Sequence, residues 1–387
     1  MSTITLQVSA GSHHREFCPV SVRFPADTPL LKDAEAGGLE LADASGNPVA
    51  CQWEALGEEV ALHWIVDRLD AGESRNYILR RREEGTTPGS ASASSAQGIR
   101  LIEKEHAVDI VIEGQLFTSY VFDPAVAKPY LGPIMGPYGE SYTRLDFETR
   151  EHPHHRSLWL AIGDVNDIDM WNEPKERHGK QIVTSFGEKA AGSVFARLTS
   201  TQNWCSYGGK PQLSETRTMT FYNTPGEGRF IDLDFVLTAN GRVELGATKE
   251  AGPLGIRVAE SMKAENGGVI RNSYGSVGEK ECWGQRAVWC DYHGEVGGHT
   301  LGIAAFDHPD NADFPTYWHV RDYGLLAANN LYFLGGKLLQ KGQSIRYKHR
   351  IYFHAGDTAA SKVADKYQDY IHPPAVTWAE DGLRITQ

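Results

Sequence analysis

The stretch Ile231-Asp232-Leu233-Asp234-Phe235-Val236-Leu237 decides the fold class, because apolar residues occupy every second position. Successive side chains of a β-strand point to opposite faces, so this alternation is typical of a strand with one buried face. Residues 108–112, Val-Asp-Ile-Val-Ile, follow a similar pattern. The chain also contains 40 glycines and 18 prolines, which interrupt it throughout, and both residue types are disfavoured inside helices. We therefore predict an all-β protein.

Composition divides the chain once. Residues 84–98 are almost all small or polar and predict a Ser/Ala/Gly linker or an exposed loop. Residues 1–83 contain short alternating runs, such as Ile4, Leu6 and Val8, and predict a small N-terminal β-sandwich with an accessory, structural role. Residues 99–387 predict a large antiparallel β-sandwich that carries the functional site. Its length and strand density are compatible with a supersandwich of the galactose-mutarotase type, by fold analogy alone.

One helix is predicted near the end of the chain. Asp357 or Thr358 could cap it, and Pro373-Pro374 would end it. The residues expected on one face of this C-terminal helix are Val363, Tyr367, Tyr370 and Ile371.

Charge and composition limit the partners. The net charge is −12, which disfavours a nucleic-acid partner. No apolar run approaches the roughly 20 residues of a membrane-spanning helix, and the first residues lack the basic and apolar parts of a signal peptide. The five cysteines are scattered and odd in number, so we expect a reduced, cytoplasmic protein that does not interact with membranes. The sequence does not indicate an oligomeric state.

Histidines crowd the run His152-Pro153-His154-His155-Arg156-Ser157-Leu158-Trp159. Histidine titrates near neutral pH and is the commonest metal ligand. We predict catalytic roles for His154 and His155, and substrate binding by Arg156, whose planar fork fits a carboxylate or a pair of sugar hydroxyls. On a strand, His152 and His154 would share a face and could bind a divalent metal, although the chain indicates no cofactor firmly.

The next run, residues 163–171, combines acidic and amide side chains with a tryptophan. Asp164 and Asn166 are predicted to bind substrate hydroxyls, although such residues also form turns. Trp171 could stack against a pyranose ring, although tryptophan is more often a core residue.

A later set of residues repeats the histidine and arginine chemistry. His319 is predicted to be catalytic and to share a face with Arg321, which together with Asp322 would bind substrate. Carboxylate–histidine pairs can perform general acid–base catalysis near neutral pH, and we extend the catalytic set accordingly. Its further members are Glu281, Asp291 and His293. We expect His154 or His155 to lie in the same cleft as His319, because active-site residues usually converge from distant loops.

Several motifs together resemble a bacterial family labelled methane oxygenase PmoA-like, of largely unknown function. They are HPHHR–LW (152–159), GDVN–D–W (163–171), GPLGIRVAE (252–260), the NS-G–GE–WG run from Asn272, WCDY (289–292) and DHP-N–PT-WHVRDYG (307–324). The resemblance covers roughly residues 105 to 350. The family has glycine where this chain has Ser157. The label implies a metal-dependent oxygenase, which would need two histidines and one carboxylate around the metal.

Three functions agree with these features. The first is a carbohydrate-processing enzyme, of the lyase, hydrolase or isomerase type, that uses histidines and carboxylates on a sugar or sugar acid. The second is the metal-dependent oxygenase. The third is a non-catalytic sugar-binding protein, which would not explain so many histidines and arginines. The chain lacks a P-loop, a G-x-G-x-x-G motif and a G-x-S-x-G elbow, so nucleotide-binding and serine-hydrolase functions are disfavoured.

Overall fold

The computed structural model describes residues 3–32, 38–82, 98–147, 151–250 and 252–380. The predicted linker, residues 84–98, lies outside the described residues except for Gly98. The structure is dominated by antiparallel strands, which confirms the all-β prediction. Of the helices that the described residues form, none is long and apolar enough to cross a membrane.

The N-terminal region forms a small sandwich of two sheets. Its elements are β1 (Ile4–Ser9), β2 (Arg15–Pro25), α1 (Pro29–Lys32), β3 (Leu39–Asp43), β4 (Pro48–Val49), β5 (Cys51–Leu56), β6 (Glu59–Leu69) and β7 (Ser74–Arg81). The predicted strand residues Ile4, Leu6 and Val8 are fully buried in the core of this sandwich, where they pack with Trp64 and Leu79.

The large region contains the remaining elements. Its first strands are β8 (Ile99–Glu103), β9 (Ala107–Ile112), β10 (Gln115–Val121), β11 (Tyr130–Ile134), β12 (Leu158–Leu160), β13 (Lys180–Ala191), β14 (Phe195–Cys205), β15 (Pro211–Tyr222), β16 (Gly228–Ala239) and β17 (Val243–Leu245). After these come β18 (Leu254–Arg257), two 3-10 turns (Glu260–Met262 and Ala264–Asn266), β19 (Val269–Asn272), α2 (Glu279–Cys282), β20 (Trp289–Val296), β21 (His299–Asp307), β22 (Trp318–Arg321), β23 (Leu325–Ala328), α3 (Asn330–Leu334), β24 (Lys337–Leu339), β25 (Ser344–Ala355), α4 (Val363–Ile371) and β26 (Ala375–Glu380).

Two eight-stranded sheets form the large sandwich. The first sheet has the order β22-β23-β18-β12-β11-β10-β9-β8, and the second has the order β13-β14-β15-β16-β25-β21-β20-β19. One core lies between them, and Ile231, Leu233, Phe235 and Leu237 are all buried in it. The alternation in β16 therefore reflects a strand with one buried face, as predicted from the sequence. The face of each sheet that points away from this core is called its outer face below.

The chain returns to the small sandwich at its end. Strand β26 pairs antiparallel with β1, with Leu6 opposite Trp378, and completes a five-stranded sheet in the order β26-β1-β7-β3-β4. Strands β2, β6 and β5 form the opposing sheet. The prediction that residues 99–387 form one large domain did not include this return, because the pairing of distant strands leaves no local sequence signal.

The predicted C-terminal helix is present as α4, which covers the outer face of the second sheet. Val363 and Tyr367 pack there against Phe306 and Tyr352. The helix begins later than either predicted cap. The Asp357 carboxylate instead accepts the backbone N–H groups of residues 359 and 360 in the preceding turn. Lys362 then enters the helix in a left-handed conformation, with φ of 53°.

Candidate functional site

Polar and aromatic residues concentrate on the outer face of the first sheet. Leu158 and Leu160 point into the core, so strand alternation places Trp159 between them on the outer face. Across neighbouring strands Trp159 lies opposite Gly255, Gly255 opposite Ala327, and Ala327 opposite His319. One row on a single face therefore joins the two histidine-rich runs, and Trp159 and His319 are three strand spacings apart, about 14 Å.

Small residues in this row leave room for aromatic rings. A Cβ atom at Gly255 would lie 2.5 Å from Trp159 and 2.8 Å from Trp171. The two indoles pack edge to face, with centroids 5.1 Å apart, and both are buried. With His155 they form a buried aromatic cluster beneath the candidate site. Trp171 was predicted to stack on a sugar, but its ring is covered by Trp159 and by His155.

His155 is buried between two hydrogen-bond donors. Trp171 Nε1 lies 3.3 Å from its Nε2, and Arg257 Nη1 lies 3.3 Å from its Nδ1. Each ring nitrogen of His155 is therefore covered by a donor, and neither is free for a substrate. Because a neutral imidazole accepts on only one nitrogen, only one of these two contacts is a hydrogen bond. Burial, with His154 and Arg257 nearby, lowers the pKa of His155 well below its ordinary value. The geometry therefore suits positioning of Arg257 better than the predicted proton transfer.

A buried arginine shapes the loop that carries these histidines. The Arg144 side chain donates to the backbone oxygen of Glu151 at 2.7 Å and to that of His155 at 3.3 Å. His152 and Ser157 both adopt φ of 56°, a left-handed conformation that favours glycine. Ser157 therefore stands at a position where glycine would fit without strain.

Tyr323 connects the loop to the second histidine-rich run. Its ring stacks on His152, with centroids 4.7 Å apart, and the Arg257 guanidinium lies 4.7 Å from its centroid. Arg321 approaches the same ring at 5.7 Å. The two runs therefore meet on this face, with Tyr323 as the shared contact, and a cleft shared by His154 or His155 with His319 stays a prediction.

His319 lies at the far end of the row. Trp283 Nε1 lies 3.3 Å from its Nδ1. An indole N–H can only donate, so Nδ1 carries the lone pair and Nε2 carries the proton of the neutral ring. Burial, followed by Arg321, lowers the pKa of His319 to about 4. At neutral pH His319 therefore presents an N–H donor rather than a base.

Several polar atoms in this region are buried and have no hydrogen-bond partner among the described residues. They are His152 Nδ1, His154 Nε2, Arg156 Nε and Trp159 Nε1. Arg321 Nε is also buried, and it lies 3.4 Å from Glu279. Burial and Lys128 lower the pKa of His154 to about 4, so its ring is neutral at pH 7. A buried polar atom without a partner costs roughly 1–3 kcal/mol, so these atoms have hydrogen-bonding capacity for a water or a bound molecule.

The carboxylates of the region are paired with cations. Glu173 accepts from Lys128 Nζ at 2.5 Å and lies 3.6 Å from Arg156. Glu151 pairs with Arg257, and Glu279 lies 3.4 Å from Arg321. Burial alone would raise the pKa of Glu173, but Lys128 outweighs it and lowers that pKa. Glu173 is therefore held ionised.

Other predicted site residues lie elsewhere. Asn166 bonds Gln212 and the backbone of residue 244, and Asp164 accepts the backbone N–H of residue 167. Both stabilise loop contacts, as Asn and Asp do in turns. Glu281 is exposed and accepts the backbone N–H of residue 277. Its neighbour Glu279 makes the contact with Arg321 instead.

Three further predictions concern residues that were expected to bind substrate, to act in catalysis or to hold a metal. The Asp322 backbone N–H donates to Glu279 at 2.6 Å, and Asp322 lies in the turn that follows β22. Asp291 and His293 lie on the second sheet, so the core separates them from the histidine loop. Within the described ranges, no three His, Cys, Asp or Glu side chains form a metal-binding group, so the suggested pair His152 and His154 lacks a third ligand there.

The residues that sequence reasoning missed are the cations that organise the site. Arg257 and Arg144 are 1% and 2% exposed, and Lys128 is 1% exposed. Arg257 did carry a signal, because it interrupts the apolar run from Leu254 to Val258. An arginine inside such a strand must find partners when buried.

The fold and this region define a class: an all-β, two-sandwich protein with a cation-rich cluster of histidines and aromatic residues on one sheet face. Residues 107–368 match "Family of unknown function (DUF6807)", and the chain belongs to that family. No curated protein matches the sequence. The resemblance to the PmoA-like family stays a prediction.

Solved structures with related folds include carbohydrate-active proteins. A glycosyl hydrolase family 38 protein from Enterococcus faecalis is 11% identical, with a TM-score of 0.44, over 98% of this chain and 47% of that one. A family 36 α-galactosidase from Geobacillus stearothermophilus is 11% identical, with a TM-score of 0.35, over 67% and 40%. A galactose mutarotase-related enzyme from Lactobacillus acidophilus is 7% identical, with a TM-score of 0.25, over 66% and 97%. The chain spans less than half the length of the two hydrolases, and these similarities are too distant to indicate a function.

Proposed function

We propose that the protein is a carbohydrate-processing enzyme that acts on a sugar acid at the outer face of the first sheet. The observation that carries this proposal is the set of buried polar atoms without partners on and around the histidine loop. Donors and acceptors without partners suit a ligand that has several hydroxyl groups.

The arginines of the region favour an acidic ligand. Arg156 lies 3.6 Å from Glu173, and Arg321 lies 3.4 Å from Glu279. A guanidinium has five N–H donors and binds carboxylates well, so each of these arginines has further donors for a ligand.

Among the three reaction types, elimination or isomerisation fits better than hydrolysis. Glycoside hydrolysis ordinarily needs one carboxylic acid that remains protonated to donate a proton. Cations lower the pKa of both Glu151 and Glu173, against the effect of burial. Abstraction of a proton beside a substrate carboxylate needs instead a neutral base and donors to the carboxylate.

The residues can be assigned to these roles. Arg156 and Arg321 hold the substrate carboxylate, and the Nε2–H of His319 donates a hydrogen bond to it as negative charge develops. His154 Nε2 accepts the proton from the adjacent carbon. In a lyase the carbon–oxygen bond one carbon further away then breaks, a carbon–carbon double bond forms, and the leaving oxygen takes the proton from His154. In an isomerase a proton from water adds to the opposite face of the carbon, and His154 releases its proton to water. His155 is a positioning residue for Arg257.

The test is turnover of matched substrates. Aryl glucuronides and galacturonides would be compared with the corresponding neutral glycosides, and unsaturated products would be followed by their ultraviolet absorbance. We expect turnover of the acidic series only. Binding without turnover would favour the non-catalytic sugar-binding alternative, and equal turnover of the neutral series would contradict the sugar-acid assignment.

We also propose a cytoplasmic location, because all five cysteines are free and unpaired cysteines are usual in reducing compartments. Labelling of the native protein in intact and fractionated cells tests this location.

A further inference from the structure

An arginine without a counter-charge lies at one end of the large sandwich. Arg229 lies two residues before the buried Ile231 of β16, so its side chain projects from the same, core-facing side of the second sheet. Within the part of the chain that the structure describes, its guanidinium forms no hydrogen bond and no ion pair. The guanidinium carbon lies 5.6 Å from the centre of the Phe117 ring. This arginine therefore packs on an aromatic ring but has free donors.

Buried arginines elsewhere in the same sheet are paired. Arg217 on β15 donates to Glu215 at 2.7 Å, and Arg350 on β25 donates to Asp232 at 2.6 Å. Buried cations usually have such a counter-charge, because an uncompensated charge is costly to remove from water. Arg229 is partly buried, and this burial lowers its pKa below the ordinary value. A guanidinium nevertheless stays protonated at pH 7, so the positive charge is retained.

Arg229 lines a cavity of about 480 Å³. Three segments form its wall, namely the turn between β9 and β10, the residues that follow β11, and the turn between β15 and β16. Leu116, Phe117, Met135 and Pro137 contribute apolar side chains. The volume lies in the range of small-molecule sites.

Two of the arginine nitrogens remain accessible. Nη1 of Arg229 is buried without a partner, whereas Nε and Nη2 are neither buried nor hydrogen-bonded to any described residue. These two nitrogens form the edge of a guanidinium that binds both oxygens of a carboxylate. Arg350 uses the same two atoms to bind the two oxygens of Asp232, at 2.6 and 2.8 Å. The accessible edge of Arg229 is therefore the edge that recognises an oxyanion.

A glycine leaves room beside this edge. Gly226 lies in the cavity wall, and a Cβ atom added there would lie 3.9 Å from Nη2 of Arg229 and 3.4 Å from the Cβ atom of Pro137. A side chain larger than alanine at this position would therefore occupy the space next to Nη2.

One carboxylate also lines the cavity but does not pair with the arginine. Glu113 is exposed, and its Oε1 accepts the backbone N–H of residue 98 at 2.9 Å and Asn223 Nδ2 at 2.8 Å. Its charge is therefore partly satisfied by these donors and screened by water. Repulsion between Glu113 and an anionic ligand is weak for the same reason.

We propose that this cavity is a second binding site, which takes a small molecule with an oxyanion group, carboxylate or phosphate, and an apolar part. Nε and Nη2 of Arg229 donate to two oxygens of the oxyanion, as those of Arg350 do to Asp232. Leu116, Phe117 and Met135 contact the apolar part. This inference does not rest on the proposed function of the first site.

The experiment titrates the full-length chain, labelled at arginine Nε and at methionine methyl groups, with benzoate, phenyl phosphate and benzyl alcohol. The three probes share a phenyl ring, and benzyl alcohol lacks the charge. We expect benzoate or phenyl phosphate to shift the NMR signals of Arg229 Nε–H and the Met135 methyl group saturably, and the tighter of the two identifies the preferred oxyanion. Absence of a shift with both anions, or equal affinity for benzyl alcohol, would overturn the proposal.

Variants make the test specific, with the Met135 methyl signal as the common measurement. Arg229→Gln removes the charged pair of donors, so affinity for the preferred anion should fall about tenfold or more. Arg100→Gln makes the same chemical change at an exposed position of β8 and should leave affinity unchanged. Arg321→Gln, at the first site, should also leave it unchanged.

The melting temperature separates binding from folding. Arg229 has no hydrogen-bond or ion-pair partner in the described chain, so Arg229→Gln should not lower the melting temperature. Gly226→Phe keeps the arginine and places a ring beside Nη2, and it should abolish binding. Gly208→Phe is its control, because a Cβ atom at Gly208 meets nothing within 4 Å. Unchanged anion affinity in folded Arg229→Gln or Gly226→Phe would contradict the site.

Discussion

At the scale of single residues, a substitution of Arg321 should affect activity with little effect on stability. Its ion pair with Glu279 is long, at 3.4 Å, and its side chain is 37% exposed, so the pair adds well under 1 kcal/mol to stability. If Arg321 holds a substrate carboxylate, Arg321→Gln should lower kcat/KM for the acidic substrate by about 10- to 100-fold, equivalent to roughly 1.5–3 kcal/mol for a charged hydrogen bond.

Arg346→Gln is the matched control, because Arg346 pairs with Asp234 on the exposed surface. Melting temperature and kcat/KM should be measured on both variants. Equal activity of Arg321→Gln and Arg346→Gln would remove Arg321 from the site.

His319 connects residue chemistry to pH dependence. Its pKa is lowered to about 4 by burial and by Arg321, whereas in the unfolded chain it titrates near 6.5. Between these values the unfolded state binds more protons, so the free energy of unfolding falls as pH drops from about 7 to about 4. The contribution of His319 is about 3 kcal/mol at most.

Denaturant unfolding at several pH values would measure this effect. His319→Gln removes the titrating group, so its stability should depend less steeply on pH in this window. Parallel pH profiles for the variant and the natural chain would show that His319 is not held neutral in the folded state.

At the scale of elements, the row across the first sheet depends on its glycine. In Gly255→Ala the added Cβ would meet two rigid indole rings, and overpacking of this kind costs about 1–3 kcal/mol. Gly241→Ala is the matched control, because a Cβ there meets nothing within 4 Å. Thermal unfolding should show a lower melting temperature for Gly255→Ala alone, together with reduced activity as Trp159 and Trp171 shift. A melting temperature equal to that of the control would contradict the packing of the row.

The elements also show how far the sequence could predict the molecule. Period-two alternation located β1 and β16 correctly, because each has one buried face. The meeting of the two histidine runs was expected instead from the way active-site residues converge from distant loops. Alternation could not show that Asp291 and His293 occupy the other sheet, since strand order is set by pairings between distant segments. Nor could it indicate the roles of Arg144 and Lys128, because long side chains reach partners that local sequence does not specify.

At the scale of the whole molecule, side-chain hydrogen bonds and ion pairs join the small sandwich to the large one, in addition to the covalent chain. Gln52 accepts the backbone N–H groups of residues 194 and 195, and Glu54 pairs with Arg197. Strand β26 completes the sheet that contains β1. Deletion of residues 1–83 would therefore leave β26 unpaired and expose the outer side of α4, so the predicted accessory role includes structural support of the large region.

The sharpest test of this coupling is Arg15, which is 3% exposed. It donates to Asp369 on α4 at 3.0 Å and to the backbone oxygen of residue 372 at 2.6 Å. Arg15→Met would leave the buried Asp369 with the more distant His13 and Lys366, at 3.4 and 3.8 Å. Loss of one partner from a buried pair costs about 3–5 kcal/mol when the other charge is left alone, so we expect a loss below that range. Arg23→Met is the control, because Arg23 pairs with Glu59 on the surface at 3.4 Å. Calorimetry should show a lower melting temperature for Arg15→Met, with the small sandwich unfolding in a separate, earlier transition. One unchanged transition in both variants would mean that α4 and the small sandwich are coupled through β26 alone.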